Sequence, residues 1–132
     1  MRHATTDDLP ALIEMGRKFH AAANLPFPAK HGAVDAALRQ MIEQGVIIMS
    51  DRGAIGGMLS RAWINPEWVF AAEFFWWAED GKGRALLRAF EEWARQSGAN
   101  EVRMTTLDHI PARKILDRLG YACRELSFGK VL

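Results

Sequence analysis

The sequence has 132 residues, of which 49% are hydrophobic and 25% are charged, and its formal net charge is +1. These values are ordinary for a soluble globular protein, so we expect one domain over residues 1–132 and no disorder. The weak charge, without any Lys/Arg-rich run, argues against a nucleic-acid partner. The longest apolar stretch, residues 68–78, is too short to cross a bilayer as a helix, so no membrane partner is expected.

Two further features concern the cellular compartment. The single cysteine, Cys123, excludes an internal disulfide bond and is typical of a reducing compartment. The N-terminus does not show the charged and apolar regions of a secretory signal peptide. We therefore expect a cytoplasmic protein.

The first half of the chain predicts a short strand, two helices and a strand hairpin. Thr5-Thr6-Asp7-Asp8 supplies the hydroxyl caps and early acids of a helix start. Apolar residues then recur at helical spacing until Asn24-Leu25-Pro26-Phe27-Pro28, which cannot continue a helix because proline lacks the N–H. The other predicted elements are a strand at residues 2–4, a helix at residues 33–44 and strands at residues 46–50 and 54–63.

The second half predicts a strand–helix–strand unit. Residues 68–77 are apolar on both faces apart from Glu73, which indicates a central strand. Residues 84–97 have the clearest helical pattern, and the strand predicted at residues 102–107 should run parallel to the central one through a right-handed crossover. The remaining predicted elements are a helix at residues 111–119 and one or two closing strands at residues 123–131.

Together these patterns predict a single α/β domain with the element order β-α-α-β-β-β-α-β-α-β. Its mixed central sheet should contain about six to seven strands, flanked by about four helices.

A glycine-rich turn, Asp80-Gly81-Lys82-Gly83-Arg84, joins the central strand to the long helix. Glycine permits positive φ and close approach of a ligand, and the free N–H groups at a helix start favour an anion. Lys82, Arg84 and Arg88 lie where the helix dipole disfavours cations by about 0.3–1 kcal/mol each. A bound polyanion would explain this cluster, although Glu79 and Asp80 could instead offset solvated cations. The turn favours a phosphate site, but it matches neither a Walker A loop nor a dinucleotide-binding loop.

At this turn the chain resembles the GNAT superfamily of N-acetyltransferases, and the resemblance covers nearly the whole chain. The segments similar to the family are Arg2-His3-Ala4-Thr5 through Asp8-Leu9, then Gly81-Lys82-Gly83-Arg84-Ala85-Leu86-Leu87 continuing to Trp93-Ala94 and Gly98-Ala99, and finally residues 112–119 with Gly120-Tyr121. The double tryptophan and the short loop are similar to compact members encoded by phages and prophages.

The resemblance implies acetyl-CoA as co-substrate, a primary amine as acceptor, and no metal. The pyrophosphate would lie on the glycine turn, and the pantetheine arm would pair with the splayed end of the preceding strand. The cofactor-binding residues implied in this way are Trp76, Trp77, Gly81, Lys82, Gly83 and Arg84. The family's Gln/Arg-x-x-Gly-x-Gly loop places its Gln/Arg position on Ala78, or on Asp80 if the loop is two residues shorter.

Glu73 is the candidate catalytic base. It is the only ionisable residue in the apolar stretch, and apolar neighbours should raise the pKa of its carboxyl towards neutrality. In the resembled family a Glu on this strand often deprotonates the amine, whereas the alternative is a structural carboxylate paired with Arg61 or Arg103. Strand alternation predicts two faces, with Glu73, Phe75 and Trp77 on one and Phe74 and Trp76 on the other.

The group that protonates the leaving thiolate stays open. The family's late-helix tyrosine position falls on Leu116, and the single tyrosine, Tyr121, is at a position typical of the core. His109 follows a predicted strand and could donate a proton or contact the cofactor, and water is a further source. Cys123 has no activating histidine at a recognisable spacing, which argues against a covalent nucleophile.

Three functions remain open from the sequence. The first is an N-acetyltransferase acting on a small-molecule or protein amine, and the second is a catalytically silent acyl-CoA-binding module. The third is a Trp-rich domain that binds a protein partner, and exposed tryptophans would also favour a homodimer.

Overall fold

The computed structural model describes residues 1–110 and 112–132, and within them one mixed β-sheet carries helices on both faces. A 3-10 turn at Thr6–Asp8 precedes the first helix. The elements are β1 (Arg2–His3), α1 (Leu9–Ala23), α2 (His31–Gln44), β2 (Val46–Met49), β3 (Gly53–Ala62), β4 (Asn65–Ala78), α3 (Gly83–Gln96), β5 (Glu101–Arg103) and α4 (Ala112–Arg118). The predicted element order is confirmed as far as α4.

The sheet has the strand order β1-β2-β3-β4-β5 in the described residues. Neighbouring strands are antiparallel except for β4 and β5, which are parallel as predicted. A parallel pair needs a long crossover, and α3 supplies it. The glycine-rich turn therefore lies at the end of β4, where α3 begins.

Two apolar clusters lie on opposite sides of the sheet. On one side α3 buries Leu86, Leu87 and Phe90 completely, at the spacing of an amphipathic helix. On the other side Leu12 of α1 and Leu38 of α2 pack with Ile47 of β2. Because both faces of the sheet are covered, the middle strands are largely apolar, which explains why residues 68–78 of β4 are apolar apart from Glu73.

The helix boundaries follow local chemistry. The backbone N–H of Thr5 donates to Asp8 Oδ2 at 2.8 Å, and Arg2 pairs with the same carboxylate, so β1 is tied to the start of α1. α1 ends at Ala23, and Asn24, which follows it, has a φ of 51° in the left-handed region. None of the helices in the two described ranges is long and apolar enough to cross a membrane.

The C-terminal tail, residues 121–132, differs from the prediction. The closing strands predicted at residues 123–131 are absent, so the described chain has five strands rather than six or seven. Arg124 and Glu125 meet β5 through side-chain ion pairs with Glu101 and Arg103 at 3.6 and 3.7 Å. Within the described residues, the tail beyond Tyr121 makes no main-chain hydrogen bond to the sheet, and a strand requires such bonds.

β5 is also shorter than predicted, since it ends at Arg103 rather than at residue 107. The chain after Arg103 no longer pairs with β4. The predicted start of the last helix at Pro111 lies outside the described residues, and the helix is seen from Ala112.

Candidate active site

β4 and β5 separate in the middle of the sheet. They pair only over Phe70, Ala71 and Ala72 of β4, which lie opposite Glu101, Val102 and Arg103. Beyond Ala72, β4 continues to pair with β3 on its other side as far as Ala78. On the side facing β5, the main chain of residues 73–78 therefore has no strand partner in the described part of the chain. A gap opens there, beside Glu73.

A β-bulge lies at the same place. Gly56 is opposite Phe75 and Gly57 is opposite Glu73, so Phe74 is an extra residue in β4. The strand opposite carries two glycines because the backbones approach closely. A Cβ atom on Gly57 would collide with the carbonyl oxygen of Ala72 and the ring of Phe90.

The bulge shifts the alternation of side chains along β4, so the prediction that Glu73 shares a face with Phe75 is wrong, whereas Phe74 and Trp76 line one cavity, as their predicted common face requires. Phe75 packs against the cluster on the α1 and α2 side, whereas Trp76 packs against the cluster on the α3 side. Glu73, Phe74 and Trp76 line one cavity together. The prediction assumed strict alternation, and the one inserted residue shifts the phase.

Glu73 is buried at 8% exposure, at the mouth of the gap. The backbone N–H of Thr105, in the segment after β5, donates to Glu73 Oε2 at 3.1 Å. Burial raises the pKa of the Glu73 carboxyl to about 7, and the hydrogen bond from Thr105 opposes the shift in part. A carboxyl that titrates near neutrality can both accept a proton and release it at physiological pH.

The predicted alternative partners of Glu73 are engaged elsewhere. Arg61 donates to the carbonyl of Pro66 at 2.8 Å. Arg103 faces Glu101 and Glu125, and its guanidinium lies 3.7 Å above the centre of the Phe70 ring. Within the described residues Glu73 forms no ion pair.

The cavity beside Glu73 has a volume of about 320 Å³. Its walls come from α1, β4, the segment after β5 and the start of α4, and they are largely apolar. The lining residues are Phe19, Glu73, Phe74, Trp76, Thr105, Thr106, Leu107, Ile110 and Ala112. The gap between the strands thus widens into a pocket with a single carboxylate in its wall.

The glycine turn follows the end of β4. Gly81 has a φ of 73°, and a Cβ atom there would have nothing within 4 Å, so the backbone is open to a ligand. α3 begins at Gly83, and no side chain caps it. Its first N–H groups have no intrahelical partner, as at any helix start. The indole N–H of Trp76 donates to the Gly83 carbonyl at 3.1 Å and ties this turn to the cavity wall.

Asp80 holds the turn in shape. Its carboxylate accepts hydrogen bonds from Ser50 Oγ at 2.7 Å and from the backbone N–H groups of Arg52 and Lys82 at 3.1 Å. These bonds, that from Ser50 foremost, lower the pKa of Asp80 to about 2. Asp80 therefore stays ionised and joins the β2–β3 turn to the start of α3.

The cations at the start of α3 differ in their partners. Lys82 Nζ lies 2.8 Å from Asp51 Oδ2, and Glu79 pairs with Lys18 of α1 at 2.9 Å. Arg84 and Arg88 are exposed and have no ion pair among the described residues. Their positive charge is thus available to an anion at the turn.

Two of the predicted site residues lie away from the cavity. His109 bridges two elements, since Nε2 lies 2.9 Å from the carbonyl of Ala22 and Nδ1 lies 3.2 Å from Asp108. Those bonds, that with Ala22 foremost, raise the pKa of His109. The indole nitrogen of Trp77 is buried and has no hydrogen-bond partner among the described residues. Neither residue lines the cavity that contains Glu73.

The family's tyrosine position at Leu116, the single tyrosine and the single cysteine also lie outside the lining of the cavity. Leu116 is buried in the α3-side core, and the hydroxyl of Tyr121 donates to Glu91 of α3 at 2.7 Å. Burial, followed by this hydrogen bond, raises the pKa of Tyr121 above its ordinary value. Cys123 is exposed in the tail. No cluster of three or more metal-ligating side chains occurs in residues 1–110 and 112–132.

Sequence reasoning missed Thr105 and the apolar wall formed by Phe19, Leu107 and Ile110. No motif marks these residues, because they converge from α1 and from the irregular segment after β5. The bulge did have a signal, since two consecutive glycines inside a strand pattern indicate a bulge or a close backbone approach.

Sequence comparison finds no family model and no curated protein that matches this chain. Comparison with solved structures does find matches. A predicted acetyltransferase from Clostridium acetobutylicum, solved with acetyl-CoA, is 8% identical, with a TM-score of 0.77 over 98% of this chain and 94% of that one.

Two further structures are similar over nearly the full length of both chains. The aminoglycoside N-acetyltransferase AAC(6')-Iy in complex with CoA is 16% identical, with a TM-score of 0.70 over 99% of this chain and 92% of that one. The ribosomal-protein-alanine N-acetyltransferase of Brucella melitensis is 12% identical, with a TM-score of 0.67 over 99% and 98%. The chain therefore has the fold of the GNAT superfamily of acetyltransferases.

Proposed function

We propose that this chain is an acetyl-CoA-dependent N-acetyltransferase with Glu73 as its catalytic base. The observation that carries the proposal is the position of Glu73. It is a buried carboxyl with a pKa of about 7, in a cavity that opens where β4 leaves β5. Acetyl transfer to an amine needs a base of this kind, because the amine is protonated in water at neutral pH.

The main-chain edge of β4 and the glycine turn support acetyl-CoA as co-substrate. Residues 73–78 can receive an extended pantetheine arm as an added strand. Gly81 leaves open space at the turn, and the free N–H groups of α3 with Arg84 and Arg88 suit a pyrophosphate. The residues proposed to hold the co-substrate are Trp76, Trp77, Gly81, Lys82, Gly83 and Arg84, with His109 as a further predicted contact.

The proposed reaction is a direct transfer. The ammonium of the acceptor gives one proton to the Glu73 carboxylate, and the nitrogen lone pair then forms a bond to the thioester carbonyl carbon. The carbon–sulfur bond breaks and sulfur keeps the electron pair. The second nitrogen proton passes through solvent to the thiolate, and Glu73 returns its proton to solvent, so the products are an amide, the free thiol and one proton. Solvent is assigned because Leu116 and Tyr121 are held in the core.

A thermal shift with acetyl-CoA is the first test of the proposal. A ligand at about 100 times its dissociation constant should add about 2.7 kcal/mol to the free energy of unfolding. Millimolar acetyl-CoA should therefore raise the melting temperature clearly, with ATP at the same concentration as control. An unchanged melting temperature would exclude every function that depends on the coenzyme.

A silent acyl-CoA-binding module is the second candidate, and the lack of a tyrosine near the cavity favours it. Both candidates predict coenzyme binding, so turnover separates them. Release of free CoA thiol in the presence of a broad set of amines supports the enzyme. Tight coenzyme binding without any amine-dependent release would support the module.

An interaction surface is the third candidate, and the turn between β3 and β4 favours it. Trp63 and Ile64 of this turn are 91% and 78% exposed. Large apolar side chains in this position are typical of protein contacts, and a homodimer remains our prediction for the partner. Analytical ultracentrifugation should show a dimer that the pair Trp63→Ser and Ile64→Ser dissociates. Identical sedimentation of both proteins as monomers would exclude it.

The cytoplasmic location and the likeness to phage-encoded members stay predictions from the sequence. The fold does not select the acceptor, because the similar acetyltransferases named above differ in the acceptor that their names give. The lining of the cavity is therefore the better guide to the chemical class of the acceptor.

A further inference from the structure

The cavity beside Glu73 has the volume and walls of a site for a small apolar ligand. Its 320 Å³ lies at the lower end of the range for small-molecule sites, and the acetyl group must share this space. The cavity is open to solvent on one side, so an acceptor larger than this volume can place only part of its body inside. The acceptor must therefore be small, or must insert only a short amine-bearing arm.

Aromatic and aliphatic side chains form most of the wall. Phe19, Phe74 and Trp76 supply three rings, and Leu107 and Ile110 supply aliphatic surface. The side-chain hydroxyl of Thr106 is directed at the Leu107 carbonyl at 3.3 Å. The wall thus offers few polar side-chain groups to an acceptor that carries hydroxyls, and a buried hydroxyl without a partner costs free energy.

The charge of the cavity wall limits the number of positive charges that the acceptor can carry. Glu73 is the one ionisable residue among the lining residues described by the structure. The charged residues next to the lining in sequence add no carboxylate to the wall, since Lys18 pairs with Glu79, Asp108 pairs with His109, and Arg113 is an exposed cation. A second ammonium on the acceptor would be buried without a carboxylate, which is strongly unfavourable.

From these three properties we infer that the acceptor is a small monoamine with an apolar body, of the arylalkylamine or branched alkylamine class, and not a polyamine or an aminosugar. This inference rests on the proposed function for its chemistry, but the selectivity of the cavity can be measured by binding alone. The apolar body would lie against Phe19, Phe74 and Ile110, with the amine towards Glu73.

The test compares 2-phenylethylamine with 1,4-diaminobutane and glucosamine. Saturation-transfer NMR and calorimetry measure binding to the protein with and without CoA, and thiol release from acetyl-CoA measures turnover. We expect 2-phenylethylamine to bind at least about ten-fold more tightly than the other two. Equal or tighter binding of the diamine or the aminosugar would overturn the inference. If the selectivity holds but no thiol is released, the proposed enzyme fails and the inference about the cavity stands.

A single added charge provides the sharper comparison. Phe74 is 56% exposed at the bulge, so Phe74→Asp should fold, and it places a second carboxylate in the wall. We expect the preference to shift by about ten-fold or more towards the diamine. Phe128→Asp is the matched control, because Phe128 is 89% exposed in the tail and does not line the cavity. A shift of the same size in both variants, or in neither, would contradict the assignment.

Discussion

Thr105 and Glu73 join the segment after β5 to β4 just beyond the point where the two strands cease to pair, through a 3.1 Å hydrogen bond from the Thr105 backbone N–H to Glu73 Oε2. The bond replaces the strand ladder that ends at Ala72 and Arg103. It also fixes a buried carboxyl at the opening of the cavity. The proposed catalysis by Glu73 depends on this arrangement.

The rate should depend on the ionisation of Glu73. Its pKa of about 7 means that kcat/KM should rise with pH through neutrality and level off above it, because only the carboxylate accepts the amine proton. Glu73→Gln should lower kcat/KM by about 10²- to 10⁴-fold and abolish that limb of the profile. The matched control is Glu67→Gln, since Glu67 is exposed on the same strand. An unchanged profile in Glu73→Gln would remove Glu73 as base.

The free energy of unfolding should also depend on the ionisation of Glu73. It should fall as pH rises, whereas the rate should increase. Burial raises the pKa of Glu73 in the folded state from its ordinary value of 4.5 to about 7, so the folded chain holds this proton more tightly than the unfolded chain. Its contribution to stability is complete below about pH 4.5 and is lost as pH rises to about 7. Across that window the loss is at most about 3 kcal/mol.

Glu73→Gln has no proton to lose, so urea unfolding should show a smaller decline in stability between pH 5 and 8 than in the parent chain. The two proteins should differ most at pH 8. Parallel curves across this range would mean that Glu73 is not held neutral by burial. This measurement needs no substrate, and it therefore tests the burial of the carboxyl separately from catalysis.

The bulge should depend on the small residue opposite it. Gly57→Ala places a methyl group against the carbonyl oxygen of Ala72 and the ring of Phe90, both in the packed interior. We expect a loss of about 1–3 kcal/mol in the free energy of unfolding, together with weaker coenzyme binding. Gly129→Ala is the control, because nothing lies within 4 Å of its added methyl, and it should change stability by less than about 0.5 kcal/mol. Equal stability of the two variants would contradict the close approach.

Coenzyme affinity should depend on the arginines at the start of α3. Arg84 and Arg88 have no ion pair in the described chain, whereas Lys82 forms an ion pair with Asp51. Arg84→Ala with Arg88→Ala should weaken CoA binding by about two- to five-fold for each charge, from interactions of about 0.3–1 kcal/mol. Calorimetry should show a larger effect at about 0.01 M than at about 0.3 M salt.

Arg17→Ala is the control for this experiment, because Arg17 is exposed on α1 and pairs with Glu14. It should leave CoA affinity unchanged. If the two arginine changes at α3 have no effect at either salt concentration, the main chain of the turn alone holds the pyrophosphate.

Local patterns predicted most of the fold. The apolar stripe of α3, the prolines after Asn24 and the mostly apolar run of β4 each depend on neighbours in sequence, and the structure agrees with them to within a few residues. The tail was predicted wrongly for the same reason. Its pattern suits a strand, but a strand exists only where another chain segment supplies hydrogen-bond partners.

The sequence by itself determined the order of the elements, the glycine turn before α3 and the presence of one carboxyl in an apolar strand. Each follows from backbone preference or from hydrophobic period, which are properties of a few adjacent residues. Only the tertiary structure decided which way Glu73 faces, because the extra residue at Phe74 shifts the phase of β4 against β3. It also decided what surrounds that carboxyl, since Phe19, Thr105 and Ile110 meet there from segments far apart in the chain.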